Sequence, residues 1–180
     1  MQRNYPSFLT PEQYIETEAH REVRADERCP NCGRGVLCGH GTYERGITTS
    51  VGQLVSMLVA RFLCARCGRT VSYLPSFAFA YRLVQAASFQ AYLEGKLDRP
   101  DVQRWTDVLR TYRRRMLAFS PEVVRTVGCG FGRAPPPSAG LWPWLKEVRG
   151  SLETATHQLV TRFKITIFSR YQCHQPAAGL

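Results

Sequence analysis

Residues 29–33 read Cys-Pro-Asn-Cys-Gly and residues 64–68 read Cys-Ala-Arg-Cys-Gly. In each, a glycine directly after the second cysteine relieves crowding, so backbone amides can turn toward the thiolates. Two such turns can set four sulfurs at the corners of a tetrahedron, the geometry of a structural zinc site. The 31 residues between Cys32 and Cys64 suit a β-hairpin whose ends return to the metal. The pattern is that of a zinc ribbon held by Cys29, Cys32, Cys64 and Cys67. A thioredoxin-type pair would open a helix after a buried strand, whereas Cys29 follows the charged run 21–28. A catalytic zinc keeps one position open, and four thiolates leave none. With about 10–16 kcal/mol available from a structural zinc site, the ribbon is expected to need its metal to fold.

The chain has seven cysteines, an odd number, and no apolar run resembling a signal peptide, which argues against a disulfide scaffold. Cys38 and His40 offer alternative ligands, or are simply hairpin residues. Cys129 and the Cys173-His174 pair could form a second site, or stand alone.

Outside the knuckles the pattern is mixed. Thr10-Pro11-Glu12-Gln13 is a capping box with proline at the first helical position, predicting a helix to about residue 25. Strand-like runs follow at 36–37, 42–43, 54–64 and 70–74, with a turn over 47–52. Helical spacing then covers 80–93 and 98–118, where Val102, Trp105, Val108, Leu109, Tyr112 and Met116 make one stripe. Ser120-Pro121 reads as the start of a further helix to about 127, residues 128–140 as a Gly/Pro linker, and 142–163 as a last helix. Residues 164–171 read as a terminal strand or a continuation of that helix. The expectation is an α+β chain: a helical leader (1–27), a zinc ribbon (28–76), a helical domain (77–127), the linker, and a C-terminal helical segment (141–180).

The formal charge is +10, with 21 arginines to 3 lysines, and 44% hydrophobic residues suffice for a real core. Such a balance favours polyanionic partners, nucleic acid before anionic membrane. No run of about 18 apolar residues offers a membrane span. Between Arg28 and Arg82, seven arginines face one acid, Glu44. Arg34, Arg45, Arg61, Arg66 and Arg69 surround the knuckles, as phosphate contacts or as solvated charges packed along aromatic rings. The two helices form either a helix-turn-helix, presenting Gln103, Arg104, Arg110 and Arg114, or an ordinary helical hairpin. Arg113, Arg114 and Arg115 sit at the C-terminal end of the second helix, a position better suited to phosphates than to bases.

The order CPNCG, then His40-Gly41-Thr42-Tyr43-Glu44-Arg45, then RFLCARCGRT with a Leu74-Pro75 stop, resembles the zinc-binding segment that opens many bacterial insertion-sequence transposases, and that of related small uncharacterised bacterial proteins. The resemblance covers roughly residues 28–95. In such transposases the ribbon and a following helix-turn-helix dock the terminal inverted repeat, and a separate RNase H-like domain cuts DNA. Here the carboxylates after Arg82 lie in helical patterns and caps, with no βαβ unit for a two-metal nuclease. The resemblance therefore implies a non-enzymatic, zinc-containing DNA-binding accessory or regulatory protein of a mobile element, cytoplasmic and nucleoid-associated. The alternative is a zinc-stabilised protein-interaction or RNA-binding subunit of a larger complex.

Overall fold

A computed structural model describes residues 1–128 and 140–169. The chain is α+β, with a four-stranded mixed sheet and helices packed beside it. The strands are β1 (Gln2–Tyr5), β2 (Leu37–Thr48), β3 (Leu54–Cys64) and β4 (Thr70–Pro75), in the order β1-β4-β3-β2. β2 and β3 form the expected hairpin between the knuckles, in register from Thr48↔Leu54 to Leu37↔Cys64. Its first arm is one long strand interrupted by a register shift between Gly39 and Thr42, where Gly41 takes a positive φ of 77°. Ile47 and Thr48 belong to the strand, so the turn is shorter than 47–52. Thr49 N–H donates to Gln53 O at 2.8 Å and closes it.

β1 runs parallel to β4, with Gln2↔Ser72 through Tyr5↔Pro75. Residues 2–5 read Gln-Arg-Asn-Tyr and carry no alternation, so no strand is expected there. Tertiary bonds place it: Asn4 Nδ2 donates to Pro75 O (3.2 Å) and Ala78 O (2.6 Å).

Among the described residues, six α-helices follow the chain as α1 (Pro11–Glu16), α2 (Ala86–Leu93), α3 (Pro100–Arg104), α4 (Thr106–Val127), α5 (Leu141–Arg149) and α6 (Leu152–Phe163). The capping box at Thr10 and Gln13 forms as expected. The helix stops early, because Glu18 adopts a left-handed conformation and only a 3-10 turn (Ala19–Arg21) follows. The helix expected at 80–93 starts at Ala86, since Tyr81 also has a positive φ. The helix expected at 98–118 breaks at Trp105, whose Nε1 donates to Gly52 O at 2.7 Å across the hairpin turn.

No new helix starts at Ser120-Pro121; α4 runs through them. Pro121 cannot donate to Leu117 O, and Ser120 Oγ donates to that carbonyl instead, at 2.8 Å. The helix expected at 142–163 is split at Gly150, with φ 76°, and Ser151 caps the second half through the Thr154 amide. The described residues after it, 164–169, are neither strand nor helix. Lys164 turns left-handed, and Ile165, Ile167 and Phe168 fold back into the core. The proposed linker, apart from Gly128 and Gly140, and residues from 170 onward lie outside the described residues.

Among the described residues, three apolar clusters hold the fold. The largest joins α2 to α6, with Phe79, Phe89, Tyr112 and Phe168 meeting ring to ring at 5.3–6.0 Å. A second packs Tyr14 of α1 and Phe77 on Ile47, Met57, Val59 and Leu74 of the sheet. The third lies at the knuckle end and contains Cys29, Leu37, Cys64, Val71 and Tyr73. No helix among the described residues is long and apolar enough to cross a membrane.

Candidate metal centre and its basic surroundings

The knuckles are built to one hydrogen-bond plan. In the first, Cys29 N–H donates to Gly35 O (2.7 Å) and Gly33 N–H to Cys29 O (2.8 Å). In the second, Cys64 N–H donates to Arg69 O (2.9 Å) and Gly68 N–H to Cys64 O (3.0 Å). Gly33 and Gly68 have φ of 70° and 65°, which is why glycine follows each second cysteine. The last rung of the hairpin, Leu37↔Cys64, and the bond from Ala65 N–H to Val36 O (3.3 Å) lock one knuckle against the other.

The four sulfurs of Cys29, Cys32, Cys64 and Cys67 all lie within 4.8 Å of one another and could hold a metal ion. Cys29 and Cys67 Sγ are 3.9 Å apart, Cys32 and Cys64 Sγ 3.8 Å, and all four are free thiols. A tetrahedron with metal–sulfur bonds of about 2.3 Å has edges of about 3.8 Å, which these two sulfur pairs match. Amide dipoles point at it: Gly35 N–H toward Cys32 Sγ (3.4 Å), Cys67 N–H toward Cys64 Sγ (3.5 Å), and Asn31 Nδ2 toward Cys67 Sγ (3.6 Å).

These contacts divide the thiols. Burial pushes Cys29 up to about 11. The Arg34 and Gly35 amides bring Cys32 down to about 6. For Cys67, burial opposes ionisation, but the Arg69 amide, Asn31 and the neighbouring sulfurs outweigh it and lower the value. A dication would remove the cost of gathering thiolates here, as metal binding is coupled to their deprotonation.

Two contributors are not evident from the cysteine spacing. Asn31 is one. Gly35 is the other: a Cβ there would overlap Cys64 Sγ and come within 2.9 Å of Arg66 Cβ. Cys38 and His40 are exposed on β2 and outside the four-sulfur group, while Cys129, Cys173 and His174 lie beyond the described residues.

The arginines expected around the knuckles separate into two groups. Arg34, Arg66 and Arg69 are exposed on the knuckle turns. Arg45 is half-buried, its Nη2 donating to Phe79 O and to Arg82 O (2.6 Å). Arg61 is half-buried with its guanidinium 6.0 Å from the Tyr43 ring centroid. On the helices, Arg104, Arg110, Arg113, Arg114 and Arg115 are all exposed, and Arg110 pairs with Asp107 at 2.7 Å. Arg82 carries no signal of its own in the sequence. It is half-buried, 5.7 Å from the Tyr112 ring and 5.2 Å from the Phe168 ring.

The fold and cage define an α+β chain with four clustered cysteines that could hold a metal ion, flanked by arginines. Residues 29–114 match the model of a domain of unknown function (DUF6431), 86 of the 180 residues. That stretch takes in both knuckles, the hairpin, β4, α2, α3 and the first part of α4. No curated protein and no solved structure shows significant similarity to the chain.

Proposed function

We propose that the chain is a zinc-stabilised nucleic-acid-binding protein, with DNA as its target, that acts as an accessory or regulatory factor of a mobile element rather than as an enzyme. The observation that carries this reading is the set of exposed arginines with no ion-pair partner among the described residues: Arg34, Arg66 and Arg69 on the knuckles, and Arg113 to Arg115 on α4. Arginine forks suit phosphate oxygens, and four thiolates on a dication leave a net negative centre that knuckle arginines offset. Zinc is the metal of choice because all four donors are thiolates in a closed, tetrahedral-sized cage. Cys29, Cys32, Cys64 and Cys67 would hold it, and it would supply folding energy without chemistry. The link to a mobile element rests on the likeness of the knuckle and hairpin motifs to transposase ribbons.

One observation favours the alternative, a protein-interaction role. Leu54 and Leu83 are exposed next to each other, both within 3.3 Å of the position a Cβ would take on Gly46, with exposed Val51 at the same hairpin turn. The test is metal analysis together with duplex-DNA titration across salt. The expected result is one zinc per chain and a log K that falls linearly with log salt, by about 0.9 for each phosphate contacted. Replacing Arg113, Arg114 and Arg115 by Ala should flatten that slope. Salt-independent binding, or none, rejects the reading.

A further inference from the structure

A cavity of about 370 Å³ opens between residues 7–11, the start of α2 and the first turn of α6, within the size range of small-molecule sites. Its walls include Ser7, Phe8, Phe77, Gln85, Arg99 and Glu153. Two of these side chains carry polar groups that the fold leaves unused. Gln85 is 4% exposed and its backbone is engaged, its N–H donating to Thr48 Oγ1 at 3.1 Å and its carbonyl accepting from Phe89 N–H at 3.2 Å. Its carboxamide nitrogen, by contrast, has no hydrogen-bond partner. An unmade buried donor is costly, and a ligand's acceptor would remove that cost. Glu153 is half-buried and makes no ion pair among the described residues, and burial alone raises its pKa. Arg99 is committed elsewhere, its Nε and Nη2 both donating to Asp101 at 3.0 Å.

Phe8 adds an apolar face. It is 101% exposed, although the chain around it is held. Ser7 N–H donates to Ser76 Oγ at 3.2 Å, and Ser7 Oγ accepts from Leu9 N–H at 3.3 Å. The cavity therefore offers an aromatic ring, a carboxylate that accepts and an amide that donates. Its uncompensated negative charge repels phosphate, so an anionic ligand would enter by its neutral end. Unpaired bases are read in this way, by stacking on an aromatic ring and hydrogen bonds to the pairing edge. Guanine presents two adjacent N–H donors beside one carbonyl acceptor, which matches a carboxylate followed by an amide donor. Adenine and cytosine set one amino group beside a ring-nitrogen lone pair, which a carboxylate repels.

We propose that this cavity binds a single unpaired guanine base, with Glu153 accepting from its two N–H donors, Gln85 donating to its carbonyl and Phe8 stacking on its face. The inference goes beyond the arginine-based reading above and uses none of its residues. A free guanine nucleotide and an unpaired guanine in a strand share this chemistry.

The experiment is calorimetric titration of the full, zinc-loaded chain with GMP, AMP, a thymine-only single strand, the same strand carrying one central guanine, and that strand as a duplex. GMP should bind at least tenfold more tightly than AMP, within the range of hydrogen bonds to a charged group. Glu153→Gln should erase that preference, and Gln85→Leu should weaken GMP without affecting AMP. Phe8→Ala, at a fully exposed position that folding does not need, should weaken GMP about fivefold or more. A single guanine that strengthens the strand beyond GMP identifies an unpaired strand as the source, and equal affinities identify the free nucleotide. Equal binding of GMP and AMP, or an unchanged preference in Glu153→Gln, overturns the site. So does duplex binding with no response to GMP or to the central guanine, an outcome that leaves the arginine-based function standing.

Discussion

A methyl group at Gly35 has nowhere to go, since it would overlap a ligand sulfur and crowd the second knuckle. Overpacking of this kind costs about 1–3 kcal/mol. Gly35→Ala is therefore expected to weaken zinc binding roughly five- to 150-fold in a competition titration with a chromophoric chelator. Gly39→Ala is the matched control, because a Cβ there meets nothing within 4 Å, and it should bind zinc as the wild type does. Equal affinity for the two variants would show that the knuckles can open to accommodate a side chain. Arg45 illustrates the opposite limit at this scale. Its sequence context matches that of its exposed neighbours, yet it is spent on two carbonyls inside the fold. Composition counts charges but does not say which of them the chain keeps for itself.

Helix α4 depends on a local repair. Pro121 removes one backbone bond, and the Ser120 hydroxyl takes over the Leu117 carbonyl. Pro121→Ala should restore the helical bond and raise the melting temperature. Ser120→Ala should lower stability by about 0.5–1.5 kcal/mol, and it should have almost no effect in the Pro121→Ala background, where the carbonyl has its amide partner again. A double-mutant cycle in urea reads this coupling directly. The same element shows what sequence can and cannot convey. The cysteine cage, the hairpin, β4 and the capping box of α1 were legible because each is dictated by nearby residues: spacing, β-branched runs, a cap. Helix boundaries failed where a distant contact decides. Trp105 breaks a good stripe to reach Gly52 O, Tyr81 is turned by Gln2 and Arg45, and β1 exists only because β4 is there to pair with it. Pro121 misled in the other direction, since Ser-Pro signals a helix start unless the serine serves the turn before it.

At the scale of the molecule, the proposed zinc would not support the three apolar clusters equally. The knuckle cluster contains two of the four ligand cysteines, Cys29 and Cys64, and the large helical cluster contains none. Stripping zinc with a chelator should therefore speed hydrogen exchange at amides around 29–37 and 64–71 while the far-UV helical signal persists. Simultaneous loss of both signals would mean that the clusters fold as one unit. The position of β1 adds a kinetic side to the metal centre. Pairing Gln2 with Ser72 closes a loop of about 70 residues, against about five for the hairpin turn. By loop-closure entropy that costs roughly 2 kcal/mol more, so the parallel strand should dock late. Once the knuckles are clamped, the free chain between β1 and β4 shrinks to about 27 residues, returning roughly 1 kcal/mol of that entropy. With the proposed zinc in the cage, a strand that never touches the metal would thus acquire a metal-dependent docking rate.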